Sequence, residues 1–181
     1  TTLVQYQQDP CNLPVPPSDS CDVAPLLCGS ALNGYCSSTG NYNPTFPGNL
    51  SSVFCESIEN NQWLRFTPCL SDVIISLSVN ACMTGSGVEA VLLAVDDCEQ
   101  FSLVSNCVQV NNQEEVELTA MGLVPGDIYY IMIDGQSGAD CNWEIEVIDG
   151  ISTEPIILQQ TTEPEVLGPE KVCPGETAIY T

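Results

Sequence analysis

The chain has 181 residues, 44% of them hydrophobic, with 24 Asp and Glu against two basic residues, Arg65 and Lys171, and a net charge of −22. That length and apolar content suffice to bury a core and favour one main domain plus a partial one. The charge excludes nucleic acid and anionic lipid surfaces as partners, because binding them needs basic side chains to displace counterions.

No run approaches the roughly 18 apolar residues of a membrane span, so membrane insertion is not expected. A chain that opens on Thr1, with no charged stretch and apolar run behind it, reads as a mature exported protein after signal removal. An acidic surface of this density suits salty or calcium-bearing surroundings, where counterions screen self-repulsion.

Residues 1–50 carry Pro10, Pro14, Pro16, Pro17, Pro25, Pro44 and Pro47, too closely spaced for a sustained helix. Only Ala24 to Leu32, stopped by Asn33-Gly34, has the makings of a helical turn. The stretch reads as an irregular arm that disulfides hold, rather than β ladders. From Gln62 the apolar pattern changes to the period of two that marks half-buried strands. The runs are 62–67, 73–79, 88–95, 103–110, 115–120, 128–133 and 143–148, separated by turn sequences such as Gly85-Ser86-Gly87 and Pro125-Gly126-Asp127. Seven short strands without an amphipathic helix predict an all-β, disulfide-rich antiparallel sandwich or jelly roll over residues 51–150. Trp63 and Trp143 fall within alternating runs and are expected in its core, whereas Tyr35, Tyr42 and Phe46 lie in a polar stretch, where they anchor the arm or stack on surface glycans. Residues 151–166, with scattered Thr, Glu and Pro, read as a linker, and 167–181 as the opening strands of a second β domain.

Eleven cysteines stand at irregular spacings, at 11, 21, 28, 36, 55, 69, 82, 98, 107, 141 and 173, with no histidine and no CxxC pair. Zinc sites repeat short spacings, so this scatter indicates disulfides made in an oxidising, extracellular compartment. Cys98 and Cys107, nine residues apart across a hairpin corner, are the pairing that spacing favours. Cys173 lies beyond the linker and is expected to pair outside the sandwich, leaving ten cysteines for five internal bridges.

Several segments carry a family likeness. Phe54-Cys-Glu-Ser-Ile-Glu-Asn-Asn-Gln-Trp-Leu-Arg-Phe66, Val79-Asn-Ala-Cys82, Asp97-Cys98-Glu-Gln-Phe101, Val104-Ser-Asn-Cys107, Gly122-Leu-Val-Pro-Gly126 and Tyr129-Tyr-Ile-Met-Ile-Asp-Gly135 together resemble the N-terminal CUB-like or jelly-roll domains of very large secreted adhesins of Bacteroidetes. Such adhesins are often exported by the type IX system and include those of the gliding kind. The tail around Val172-Cys-Pro-Gly-Glu176 resembles the start of the PKD-like or immunoglobulin-like repeats that follow such domains. The likeness implies an exported, modular cell-surface protein in which this domain leads a string of further β domains of the same chain.

Catalysis is not expected. Without histidine a Ser or Cys nucleophile lacks its usual base, and two cations cannot clamp a phosphate. Calcium is the more physical use of loop carboxylates, and Asp134-Gly-Gln-Ser-Gly-Ala-Asp140 places Asp134 and Asp140 around a Gly-bearing turn, as candidate Ca2+ ligands or as ordinary turn-capping residues. Asn49-Leu-Ser51 has the form of a glycosylation sequon. The sequence thus favours a non-enzymatic adhesin or surface-display module. Its alternatives are a subunit or cap of an extracellular fibre that self-associates, and a calcium-dependent carbohydrate-binding module of a secreted enzyme.

Overall fold

The computed structural model describes residues 15–153. The expected second domain at 167–181, most of the 151–166 linker, Cys11 and Cys173 lie outside the described residues. Nine strands form two antiparallel sheets: β1 (Tyr35–Ser38), β2 (Gln62–Phe66), β3 (Val73–Thr84), β4 (Gly87–Asp96), β5 (Gln100–Leu103), β6 (Val108–Asn111), β7 (Glu115–Ala120), β8 (Tyr129–Gly135) and β9 (Asp140–Asp149). One sheet runs β1-β9-β3-β7, the other β2-β8-β4-β5 with β6 also on β4. The fold is the disulfide-rich all-β sandwich that the period-two runs predict.

Alternation explains the layering. Val88, Ala90 and Leu92 of β4, with Ile131 and Ile133 of β8, point between the sheets, where they meet Ile75, Leu77, Trp143 and Ile145 in the main core. The opposite face of the same sheet is also apolar. Trp63, Val91, Leu93, Phe101 and Met132 pack with Cys21, Ala24, Leu50, Phe54 and Ile58 of the preceding chain in a second core. Both indoles are fully buried.

Residues 15–60 form an arm in two parts. The short helix α1 (Gly29–Leu32) puts Leu32 into the main core, whereas the parts around Cys21 and Ala24 and around the short helix α2 (Leu50–Val53) lie across the outer face of one sheet as a third layer. The arm is not held by disulfides alone. β1 lies within it and pairs with β9, Ser18 bridges to Trp63, and Leu26 bridges to Arg65 along the edge of β2. The boundary expected at residue 50 thus falls inside a continuous arm, because a strand from the arm completes the far sheet. The hydroxyls of Tyr35 and Tyr42 donate to the carbonyls of Val15 and Pro17, which makes these aromatics anchors of the arm, while Phe46 is exposed.

The run expected as one strand at 103–110 is broken. Leu103 pairs with Leu93, but Val108 pairs with Ala90, so the excursion 104–107 is longer than the segment it faces. Ser105 bridges there to Ala120, and Asn106 exchanges side-chain hydrogen bonds with the backbone of Thr119 and Glu117 on β7. The excursion thereby stitches the two sheets along one side.

Three disulfides are described: Cys21–Cys98, Cys55–Cys107 and Cys82–Cys141. Cys28 and Cys69 are disulfide-bonded as well. The pairing Cys98–Cys107 expected from spacing is wrong. Cys98 sits at the turn before β5 and Cys107 beyond its far end, and four extended residues alone span about 13 Å, against the roughly 7 Å limit for bridged Cα atoms. Each instead reaches the arm, with Cα separations of 5.8 Å for Cys21–Cys98 and 6.1 Å for Cys55–Cys107. Cys36 is a free, exposed thiol on β1, and the expectation of five bridges among the ten cysteines from 11 to 141 rests on Cys11, outside the described residues. Cys82 and Cys141 join directly opposed residues of β3 and β9.

Replacing Cys55 and Cys107 together by Ala is expected to lower unfolding free energy by about 3–4 kcal/mol, the range for releasing a loop of this size. Urea denaturation of the two proteins measures the difference.

Candidate functional site

At one end the second core turns polar. Outward positions on three neighbouring strands place Asp134 of β8 opposite Glu89 of β4, and Glu89 opposite Gln109 of β6. Side chains opposed in this way stand about 5 Å apart at Cβ. The arm covers the row with Glu56, Glu59 and Asn60.

Asp134 is fully buried and Glu89 only 4% exposed. The Asp134 carboxylate accepts the backbone N–H groups of Glu59 and Asn60, at 3.1 and 2.9 Å. Glu89 accepts from Gln109 Nε2 at 3.0 Å through one oxygen, while its other oxygen, like one of Glu59, is buried without a partner. Burial pushes the Asp134 carboxyl up to about 7; its two backbone hydrogen bonds oppose this, and the carboxyl of Glu59 beside it adds to it. Burial also raises Glu89, helped by the charges of Glu56 and Glu59 against the opposing hydrogen bond from Gln109.

Among the described residues no basic side chain relieves the row. Arg65, the basic residue among those described, pairs in register with Tyr130, four positions along β8 from Asp134, and lies 6.0 Å from that ring's centroid. Burial thus raises the proton affinity of Asp134 and Glu89 where the arm meets the sheet, which predicts a joint that is more stable in acid.

Asn60 closes the joint. Its Nδ2 donates to the carbonyls of Thr39 and Ala139 and its Oδ1 accepts the N–H of Gly135, so one buried amide ties the arm to the β8–β9 turn. Thr39 repeats the device, donating to Ala139 and accepting from Cys141.

The expected calcium pair is divided between two surroundings. Asp134 belongs to the row under the arm, whereas Asp140 is half-buried at the start of β9, beside Gly40 and with its N–H on Thr84 Oγ1. Among the described residues no three His, Cys, Asp or Glu side chains are gathered as a metal centre. Asn49 of the sequon spends both ends of its amide on the backbone of Phe101, fastening the arm to β5.

Glu59 and Glu89 were not expected from sequence. Glu89 alone carried a signal, as the one charge in the apolar run Val88–Val95. Two surface hollows are remote from this row: one of about 390 Å³ beside Ser78 and Gln113, and one of about 240 Å³ beside Val15 and Cys36.

Compared with family models, with curated proteins and with solved structures, the chain matches none. The reading of function therefore rests on the residues themselves.

Two outcomes test the joint. An Asp134 raised from about 4 unfolded to about 7 folded stabilises fully below pH 4, and that stability is lost as pH rises through 7. Asp134→Asn keeps the acceptor for both N–H groups; it is expected to match the wild type below about pH 4 and to melt on the order of 5 °C higher at pH 8. Thermal melts across that range measure it. Asn60→Ala strands the Gly135 N–H and removes a donor from the Thr39 and Ala139 carbonyls, the second of which keeps Thr39 Oγ1; an expected loss of about 2–3 kcal/mol in denaturant unfolding checks its role.

Proposed function

We propose that this chain is a non-enzymatic, extracellular adhesin or surface-display module that leads a larger modular cell-surface protein. The observation that supports this most is the covalent fastening of the arm. Two disulfides that span 77 and 52 residues clamp parts of the arm over an apolar sheet face. Such bridges persist only in an oxidising compartment, and they keep a proline-rich layer in place where no chaperone or reducing system attends it. The distribution of side chains agrees with this reading. The buried carboxylates are engaged in joining two layers, and the chain has no histidine to serve as a general base.

The resemblance to the leading domains of large secreted adhesins gives the same answer from the sequence. In this reading the module works by presenting a rugged acidic surface for contact, and the domains that follow carry it away from the cell.

Beads coated with the chain and passed under shear over cells, glycan-bearing surfaces and bare polymer provide the test. Retention at least five-fold above uncoated beads on one of these surfaces, abolished by prior reduction of the disulfides, is the expected outcome. Uniform washing-off from all of them would sink the proposal.

A further inference from the structure

One end of the sandwich exposes apolar side chains that nothing described covers. Leu70, Met121, Val124 and Ile128 are 51, 72, 55 and 45% exposed. They belong to two loops that are laced together. The N–H of Leu123 donates to the carbonyl of Ser71, that of Gly126 to the carbonyl of Pro68, and that of Gly122 to the Asp72 carboxylate. A patch so fastened is a formed surface and not a loose loop tip.

The chain leaves the sandwich at this same end. Gly150 O accepts the N–H groups of Cys69 and Leu70, at 2.7 and 3.2 Å, and Ile151 is buried against the main core. Three residues beyond Thr153 comes Ile156-Ile157-Leu158, an apolar triplet flanked by Glu154-Pro155 before it and Gln159-Gln160-Thr161 after it. At about 3.3 Å per residue the triplet lies within roughly 10–17 Å of Thr153 along the chain. Gly150, whose carbonyl accepts the Leu70 N–H, lies only three residues before Thr153, so the edge of the patch is within that reach.

We infer that the face formed by Leu70, Met121, Val124 and Ile128 is the docking surface for Ile156-Ile157-Leu158 of the same chain. A second copy is the weaker occupant. Four partly exposed side chains offer a few hundred Å², well below the roughly 800 Å² per partner of a stable interface, yet enough for three apolar residues delivered by a tether. Docking would fix the direction in which the following chain leaves the module, which matters for a domain carried at the head of a string.

Hydrogen exchange of the full chain, followed by mass spectrometry on peptides covering 155–160, tests this. In the wild type the amides of 156–158 are expected to exchange at least ten-fold more slowly than an unstructured peptide. Met121→Lys with Val124→Lys, both at exposed loop positions, should remove that protection. The reciprocal Ile157→Asp should speed exchange in 121–124 while leaving β4 and β8 protected, which shows that the sandwich remains folded. Full-speed exchange at 156–158 in the wild type would overturn the inference. So would protection that survives both lysines, or protection that scales with protein concentration and accompanies a dimer in sedimentation.

Discussion

The sheet β2-β8-β4-β5 is apolar on both of its faces, and much else in the molecule follows from that. Its inner face meets the other sheet, as in any sandwich. Its outer face carries Trp63, Val91, Leu93, Phe101 and Met132, each worth about 1.5–3 kcal/mol when removed from water. Something has to cover it. Among the described residues the cover is a stretch whose prolines preclude a long helix, so coverage comes from short turns, isolated bridges and hydrogen-bonded side chains. Two disulfides then make the cover permanent. They are fastened at opposite ends of β5, one in the turn that precedes it and one beyond its far end.

The same arrangement accounts for the acidic row. Where the cover ends, outward positions on β4 and β8 become Glu89 and Asp134, and the arm lays its own backbone N–H groups over Asp134. Buried carboxylates are costly when ionised; the backbone amide donors on Asp134 offset part of that cost, and burial raises its proton affinity. A joint of this kind is expected to be firmest in acid and looser above neutrality.

Placing strength in covalent bridges and a polar joint also explains why the surface can be so acidic. A net charge of −22 pushes the compact state apart. The two cores and the long-range bridges oppose that push at points well separated in sequence, linking residues 21 to 98 and 55 to 107. Of the exposed large apolar side chains among the described residues, Leu70, Met121, Val124 and Ile128 stand together at the end where Gly150 meets Cys69 and Leu70.

The sequence by itself determined the strand runs other than β1 and the broken stretch at 103–110, the all-β class, the burial of Trp63 and Trp143 and the presence of disulfides, because period-two alternation and cysteine scatter are local properties of the chain. It did not determine which cysteines meet. Spacing suggested Cys98 with Cys107, but an extended strand between them carries them apart, and only the path of the arm brings Cys21 and Cys55 to them. Nor did it reveal the acidic row, whose members at 59, 89 and 134 are far apart in the chain and become neighbours through strand register and the crossing of the arm. Asp134 was legible as a residue with a task, and Glu89 as a lone charge in an apolar run. Their shared site was decided by tertiary structure, since a carboxylate acquires its proton affinity from what is buried around it.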